Sequence, residues 1–105
     1  MIRIVKLTLK QENVNDFLAH FETVKEKIND FPGCIGMKLL QEKTGGNILF
    51  TYSQWESEND LENYRNSELF KSIWPTVKQW FESKAEAWST DEYFDGFDLK
   101  ITRKE

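Results

Sequence analysis

Hydrophobic positions recur along the chain at two spacings, one typical of strands and the other typical of helices. The segment after Met1 alternates in part and is rich in β-branched side chains, which predicts a first strand over residues 2–9. One face of this strand carries Ile2 and Ile4, and the other carries Val5, Leu7 and Leu9. Because both faces are apolar, we expect both to be covered in the folded protein.

Residues 14–31 have the clearest helical pattern in the chain. The apolar side chains that recur there at helical spacing are Val14, Phe17, Leu18, Phe21, Val24, Ile28 and Phe31. Asn13 is suited to be the N-cap, with Asp16 as a capping-box-like partner. Pro32-Gly33 is expected to end the helix.

A β-hairpin is predicted next, with strands over residues 34–43 and 48–55. The sequence between them, Thr44-Gly45-Gly46-Asn47, is a strong turn signal because glycine adopts a positive φ without steric cost. In the first of these strands we expect one face to carry Ile35, Met37 and Leu39.

The second half of the chain returns to helical spacing. A short helix is expected after Ser57 and a longer one after Ser67, and Pro75 predicts a break or kink near Trp74. Residues 83–95 show no clear period and are interpreted as a loop. A last strand is predicted from the alternation of Phe97, Leu99 and Ile101.

The resulting order, β-α-β-β-α-β, predicts an α+β ferredoxin-like fold with a four-stranded antiparallel sheet. We interpret residues 1–105 as a single domain of this kind. Helices of one chain cover only one face of such a sheet, whereas these strands are apolar on both faces. A second copy of the chain is the simplest cover for the open face, so we expect a homodimer.

Composition narrows the partners and the compartment. The formal net charge is −4 and the pI is about 5.1, which is unlike a nucleic-acid-binding protein. No apolar run approaches the roughly 20 residues of a membrane span, and no signal peptide is recognised at the start. The single cysteine, Cys34, is expected to be a small hydrophobic residue that begins a strand. A cytoplasmic location is the expectation from these features.

Four segments carry a resemblance to a known family. They are Ile-Val-Lys-Leu-Thr-Leu at 4–9, Phe31-Pro32-Gly33-Cys34, Phe-Thr-Tyr-Ser-Gln-Trp-Glu-Ser at 50–57 and Tyr-Arg-Asn-Ser-Glu-Leu-Phe at 64–70. Over about residues 2–82 the chain resembles the antibiotic biosynthesis monooxygenase family of the dimeric α+β barrel superfamily. The resemblance implies a dimer whose sheets meet face to face, with a cavity between the sheet and the helices of each protomer.

The same resemblance implies two kinds of chemistry. Some members oxidise electron-rich aromatics with oxygen and without metal, flavin or haem, whereas others degrade haem. The haem-degrading members use an Asn, a Trp and a haem-ligating His, and the aligned positions here are Val5, Tyr64 and Trp74. Because a Trp cannot ligate iron, haem degradation is not expected.

Three side chains are candidates for proton transfer. His20 is the only histidine and lies at the edge of the apolar stripe of its helix, where a surface position is the alternative interpretation. The other two candidates are the hydroxyls of Tyr52 and Tyr64. No second His or Cys lies near His20, so no metal site is predicted.

Aromatic residues make up 14% of the chain and cluster in the second half. The candidate substrate-binding residues are Met37, Phe50, Phe70, Trp74 and Trp80. The alternative is that these side chains only fill the core and the dimer interface.

The functional hypothesis is a cofactor-independent monooxygenase acting on a small aromatic substrate, such as a quinol or a phenol. No cofactor is expected, and neither nucleic acid nor membrane is an expected partner. The alternative is a non-catalytic dimeric α+β barrel that binds a small hydrophobic ligand or has only a structural role.

Overall fold

A computed structural model describes residues 1–97 as an antiparallel sheet with helices packed on one face. The strands are β1 (Ile2–Thr8), β2 (Cys34–Gln41), β3 (Ile48–Trp55) and β4 (Glu86–Thr90). The helices are α1 (Val14–Asn29), α2 (Glu58–Arg65) and α3 (Glu68–Lys78), and a 3₁₀ turn precedes α1 at Gln11–Asn13. The four strands lie in the order β2-β3-β1-β4, which confirms the ferredoxin-like fold.

Side-chain capping begins α2 and α3 where the sequence predicted. The Ser57 hydroxyl accepts a hydrogen bond from the backbone N–H of Asp60 at 3.1 Å, and the Ser67 hydroxyl accepts one from Phe70 at 3.1 Å. The start of α1 differs from the expectation. Asn13 belongs to the 3₁₀ turn, and its side-chain amide donates to the Asp16 carboxylate at 2.8 Å instead of capping the backbone.

Pro75 lies inside α3, and the helix continues to Lys78, so a break near Trp74 is wrong, whereas a kink there stays a prediction. Proline removes one backbone donor, which would have bonded to the carbonyl of Lys71 on the exposed side of the helix. Burial of Ile73 and Val77, on either side of the proline, holds this face of the helix against the core. Tertiary packing therefore outweighs the loss of one hydrogen bond.

The C-terminal part of the described chain corrects two further expectations. The segment interpreted as a loop contains β4, which pairs antiparallel with β1. A last strand was predicted from Phe97, Leu99 and Ile101, but Phe97 is helical. Leu99 and Ile101 lie outside the described residues. The strand that pairs with the free edge of β1 is therefore β4, which comes earlier in the chain than the strand predicted from Phe97 onward.

Alternation along the strands divides the sheet into two chemically different faces. Leu7, Leu9 and Leu49 are almost fully buried beneath the helices. The opposite, open face carries a row of directly paired residues formed by Lys38, Tyr52, Ile4 and Trp88. A bulge in β2 displaces Ile35, which is 61% exposed, so Ile35 does not share the buried face with Met37 and Leu39 as expected.

Within the described part of the chain, no helix combines the length and the apolar character needed to cross a membrane.

Candidate functional site

A cavity of about 310 Å³ lies between the helix-facing side of the sheet and the helices. Its floor comes from β1 and β3, with Arg3, Val5, Leu7, Thr51, Ser53 and Trp55 among the lining side chains. Its roof comes from α1 and α3, with Phe17, His20, Phe21, Phe70, Ile73 and Trp74 among them. The volume lies near the lower end of the range of about 300–1,000 Å³ that is usual for ligand pockets. It therefore suits a small ligand of one or two rings.

Polar groups are few in this lining, which is the usual composition of a site that binds an apolar molecule in one orientation. They belong to Arg3, His20, Thr51, Ser53, Tyr64 and Arg65. The Ser53 hydroxyl is already engaged, because it accepts the buried indole N–H of Trp55 at 2.9 Å. The polar groups that remain for a ligand are mainly the His20 imidazole, the Tyr64 hydroxyl and the guanidinium groups of the two arginines.

His20 presents the most unusual polar atom of the site. Its Nε2 is buried and has no hydrogen-bond partner within the residues that the structure describes. The imidazole packs edge-on against Trp80, with ring centroids 5.9 Å apart. A buried nitrogen without a partner is costly, and in native proteins such atoms are concentrated at functional sites or satisfied by a bound molecule. The imidazole borders the cavity, whereas its Nε2 atom is covered by neighbouring protein atoms, so His20 is buried more deeply than the surface alternative required.

Tyr64 lies on α2 within a cluster of aromatic rings. Its ring centroid is 5.2–5.3 Å from those of Phe31, Trp55 and Phe70. Burial, together with the neighbouring Cys34 thiol, raises the pKa of Tyr64 to about 12. A phenol with this pKa stays protonated near neutral pH, so Tyr64 is suited to donate a hydrogen bond rather than to accept a proton.

Two arginines of the lining were missed by the sequence interpretation. Arg3 lies on β1, between Ser53 of β3 and Ser89 of β4, and its Nη1 donates to the Ser89 hydroxyl at 3.0 Å. Arg65 ends α2. A signal for Arg3 was present, since strand alternation places it on the same face as Val5 and Leu7. No periodic pattern marked Arg65, because only the packing of α2 over the sheet brings it to the cavity.

The other predicted site residues fall into three groups. Met37, Phe70 and Trp74 line the cavity, as His20 and Tyr64 do. Phe50 and Tyr52 point to the open face, because β3 turns its odd-numbered residues toward the cavity. Trp80 is not a lining residue and lies behind His20.

Cys34 is half-buried at the start of β2. Burial, the largest influence, raises the pKa of its thiol, so it lacks the lowered pKa of a catalytic nucleophile. Across residues 1–97, no group of three or more His, Cys, Asp and Glu side chains is arranged to hold a metal ion.

The family model described as antibiotic biosynthesis monooxygenase matches residues 1–74. This chain belongs to that family. Three positions implied by the resemblance to its haem-degrading branch, Val5, Tyr64 and Trp74, all line the cavity.

Solved structures with the same fold come from archaea and bacteria. A conserved protein from Methanosarcina mazei Go1 is 29% identical, with a TM-score of 0.75 over 82% of this chain and 86% of the other. A candidate antibiotic biosynthesis monooxygenase from Nitrosomonas europaea is 15% identical, with a TM-score of 0.81 over 89% and 98%. Rv0793 from Mycobacterium tuberculosis is 16% identical, with a TM-score of 0.74 over 89% and 97%. Among curated proteins, no match was found.

Proposed function

We propose that this protein is a cofactor-independent monooxygenase that oxidises a small electron-rich aromatic, a quinol or a phenol, inside the cavity. Membership of the antibiotic biosynthesis monooxygenase family supports the reaction class. The observation that carries the proposal is the position of His20, whose imidazole borders a cavity lined with aromatic rings and whose buried Nε2 has no partner among residues 1–97. This position favours His20 over the other two sequence candidates, Tyr52 and Tyr64, as the proton acceptor.

The reaction starts with removal of a proton from the substrate hydroxyl. A neutral imidazole nitrogen can accept a proton, and no Asp or Glu of the described residues lines the cavity, so His20 is the group suited to act as the base. The resulting anion is rich enough in electrons to reduce oxygen directly. In net terms one quinol and one O₂ give one hydroxyquinone and one water, so the substrate supplies all four electrons and no external reductant is needed.

The remaining cavity residues bind and orient the substrate in this proposal. Phe70 and Trp74 stack in near-parallel planes, 14° apart, with centroids separated by 5.5 Å, and they offer a flat apolar surface. The Tyr64 hydroxyl stays protonated and can donate to an oxygen of the substrate. An apolar enclosure also limits access of water to the reactive anion.

We further propose that the protein is a homodimer joined through the open face of the sheet. Trp88 and Leu40 are 46% and 50% exposed on this face, and Ile4 and Tyr52 lie between them on the central strands. No helix of the described chain covers these residues, since the helices pack on the other face. Neighbouring exposed apolar side chains on an uncovered sheet face are typical of an interface.

The enzymatic proposal is tested by oxidising a panel of quinols and phenols under ¹⁸O₂. Uncatalysed autoxidation of a quinol gives a quinone and hydrogen peroxide without incorporating oxygen. We expect the protein to give a hydroxyquinone that carries one labelled oxygen atom, with little peroxide. His20→Gln should lower the rate about 10²- to 10⁴-fold, the usual contribution of a general base. Lys27→Gln, an exposed substitution on the same helix, is the matched control.

A folded protein that gives no turnover above the uncatalysed rate would contradict the enzymatic proposal. The non-catalytic alternative, a barrel that only binds a small hydrophobic ligand, would then account for the cavity.

A further inference from the structure

Arg3 is an unusual residue for the lining of a largely apolar cavity. It lies on a central strand with its side chain on the helix-facing side, and it is half-buried. Its only hydrogen bond from the side chain within residues 1–97 goes to the neutral Ser89 hydroxyl. No carboxylate of these residues lies within 4.0 Å of the guanidinium. Arg3 therefore places at the cavity a positive charge that no carboxylate of residues 1–97 neutralises by an ion pair.

Arg65 adds a second positive charge to the same part of the cavity. The two guanidinium groups are close enough that Arg65, after burial, lowers the pKa of Arg3, while Glu62 opposes the effect. Glu62 forms an ion pair with Arg65 at 3.4 Å, on an exposed part of α2. The cavity lining itself contains no Asp or Glu within the described residues. Because Glu62 already pairs with Arg65, Arg3 is the less compensated of the two charges, and an anion bound in the cavity would face both guanidinium groups.

The arginines and His20 lie toward opposite ends of the cavity. Arg3 is near the start of β1, and Leu7 is four residues further along, roughly 13 Å at the usual strand rise. Trp80, which packs against His20, has its backbone carbonyl bonded to the N–H of Lys10, beyond the other end of β1. A ligand that fills the cavity can therefore contact a guanidinium at one end and the imidazole at the other.

We infer that the ligand is a hydroxylated aromatic carboxylic acid, whose carboxylate binds Arg3 and Arg65 and whose ring hydroxyl faces His20. A carboxylate is planar and matches the two parallel N–H groups of a guanidinium, which favours it over a neutral polar group. The aromatic ring would lie between these ends, against Phe70 and Trp74. Oxidation of this molecule rests on the function proposed above, whereas its binding does not.

The experiment compares 6-hydroxy-2-naphthoate with 6-hydroxy-2-naphthamide, which has the same rings and hydroxyl but no charge. Binding is measured by calorimetry without oxygen, so that turnover does not contribute. We expect the acid to bind about ten- to hundredfold more tightly than the amide, the usual gain from charge-assisted hydrogen bonds. We also expect added salt to weaken binding of the acid and to leave that of the amide unchanged.

Variants assign this preference to the two arginines. Arg3→Gln should remove most of the preference for the acid, and Arg3→Lys should retain part of it. Arg65 is exposed at the end of α2, so we expect Arg65→Gln to fold. If Arg3→Gln does not fold, Arg65→Gln tests whether the arginines cause the preference for the acid. Lys27→Gln removes one positive charge outside the cavity and should leave both affinities unchanged.

Equal affinities for the acid and the amide, or failure of both to bind at millimolar concentration, would overturn this inference. So would an unchanged preference in folded Arg3→Gln and Arg65→Gln proteins. The outcome is separable from that of the enzymatic proposal. Tight binding of the acid without oxygenation of any quinol would overturn only the enzymatic proposal. Oxygenation of quinols without a preference for carboxylates would overturn only the inference about the arginines.

Discussion

The ring of Trp80 meets the imidazole of His20 at an angle of 71°, with their centroids 5.9 Å apart. Trp80 follows α3, whereas His20 is on α1, so this contact fixes the orientation of the imidazole from outside its own helix. Trp80 is therefore a positioning residue for the proposed base. It was expected to contact substrate, but it lies behind the histidine rather than in the cavity lining.

We predict that Trp80→Ala lowers kcat more than it changes KM, because the imidazole loses its support while the ligand-binding surfaces remain. Trp80→Phe should recover part of the loss, since an aromatic edge is kept. A spectroscopic measurement tests the contact independently of activity. The single histidine gives one pair of imidazole C–H resonances, and these should move toward their free-peptide positions in Trp80→Ala. Unchanged resonances would contradict the proposed contact.

The raised pKa of Tyr64 predicts a loss of stability in alkali. In the unfolded chain the phenol ionises near pH 10, whereas in the folded protein it ionises near pH 12. Between these values the unfolded state binds fewer protons, so the free energy of unfolding falls as the pH rises. Two pKa units correspond to a loss of at most about 2.7 kcal/mol from this residue.

Urea unfolding at several pH values between 9 and 12 measures this effect, with Tyr64→Phe as the comparison. The wild-type protein should lose stability more steeply than the variant over that range, because the variant has no phenol to ionise. Parallel pH profiles would show that Tyr64 is not held in its neutral form.

Gly33 is predicted to be intolerant of a side chain for two separate reasons. Its φ is +87°, a conformation that costs an L-residue of other types roughly 1–3 kcal/mol. A Cβ atom at this position would also collide with the Asp60 side chain at the start of α2. Its carbonyl accepts a hydrogen bond from the backbone N–H of Glu56 at 2.9 Å, so the segment cannot shift without losing this bond.

We expect Gly33→Ala to lower the free energy of unfolding by more than Gly45→Ala does. Gly45 also has a positive φ, of +70°, but a Cβ atom there would meet open space. The difference between the two variants in chemical denaturation therefore isolates the collision with Asp60. Equal losses would mean that only the backbone conformation matters.

The proposed dimer predicts that a charge on the open face separates the protomers. Trp88→Glu should reduce the sedimentation mass at micromolar concentration to about that of one chain, because it places a carboxylate in an apolar interface. Asn63→Glu adds the same charge on the exposed side of α2 and should leave the mass unchanged. A mass near one protomer for the wild-type protein would refute the dimer.

Much of the fold follows from local sequence. Periodicity predicted α1, the serine caps predicted the starts of α2 and α3, and the glycine-rich turn predicted the hairpin of β2 and β3. These features depend on residues that are neighbours in the chain, so the sequence records them directly. The partial alternation of β1 likewise separated Val5, Leu7 and Leu9, which pack with the core, from Ile2 and Ile4 on the opposite face.

The continuation of α3 through Pro75 and the position of β4 were decided by tertiary structure. The residues of β4 include Glu86 and Ala87, which have low strand propensity, and pairing with β1 makes them a strand. Pro75 remains helical because the residues around it are buried against the core. In both cases long-range contacts outweigh a weak local preference.

The candidate site shows the same division. The sequence predicted His20 and Tyr64 as candidates for proton transfer. The family resemblance led to the monooxygenase hypothesis. The sequence could not show that Tyr52 and Phe50 lie on the open face of the sheet. Alternation along a strand separates its residues into two faces, but it does not tell which face packs against the helices. Nor could it bring Arg65 beside Arg3, since these residues are distant in the chain. Only packing of α2 against the sheet creates that concentration of positive charge. Likewise, only the packing around α1 buries the His20 nitrogen, which has no partner among residues 1–97.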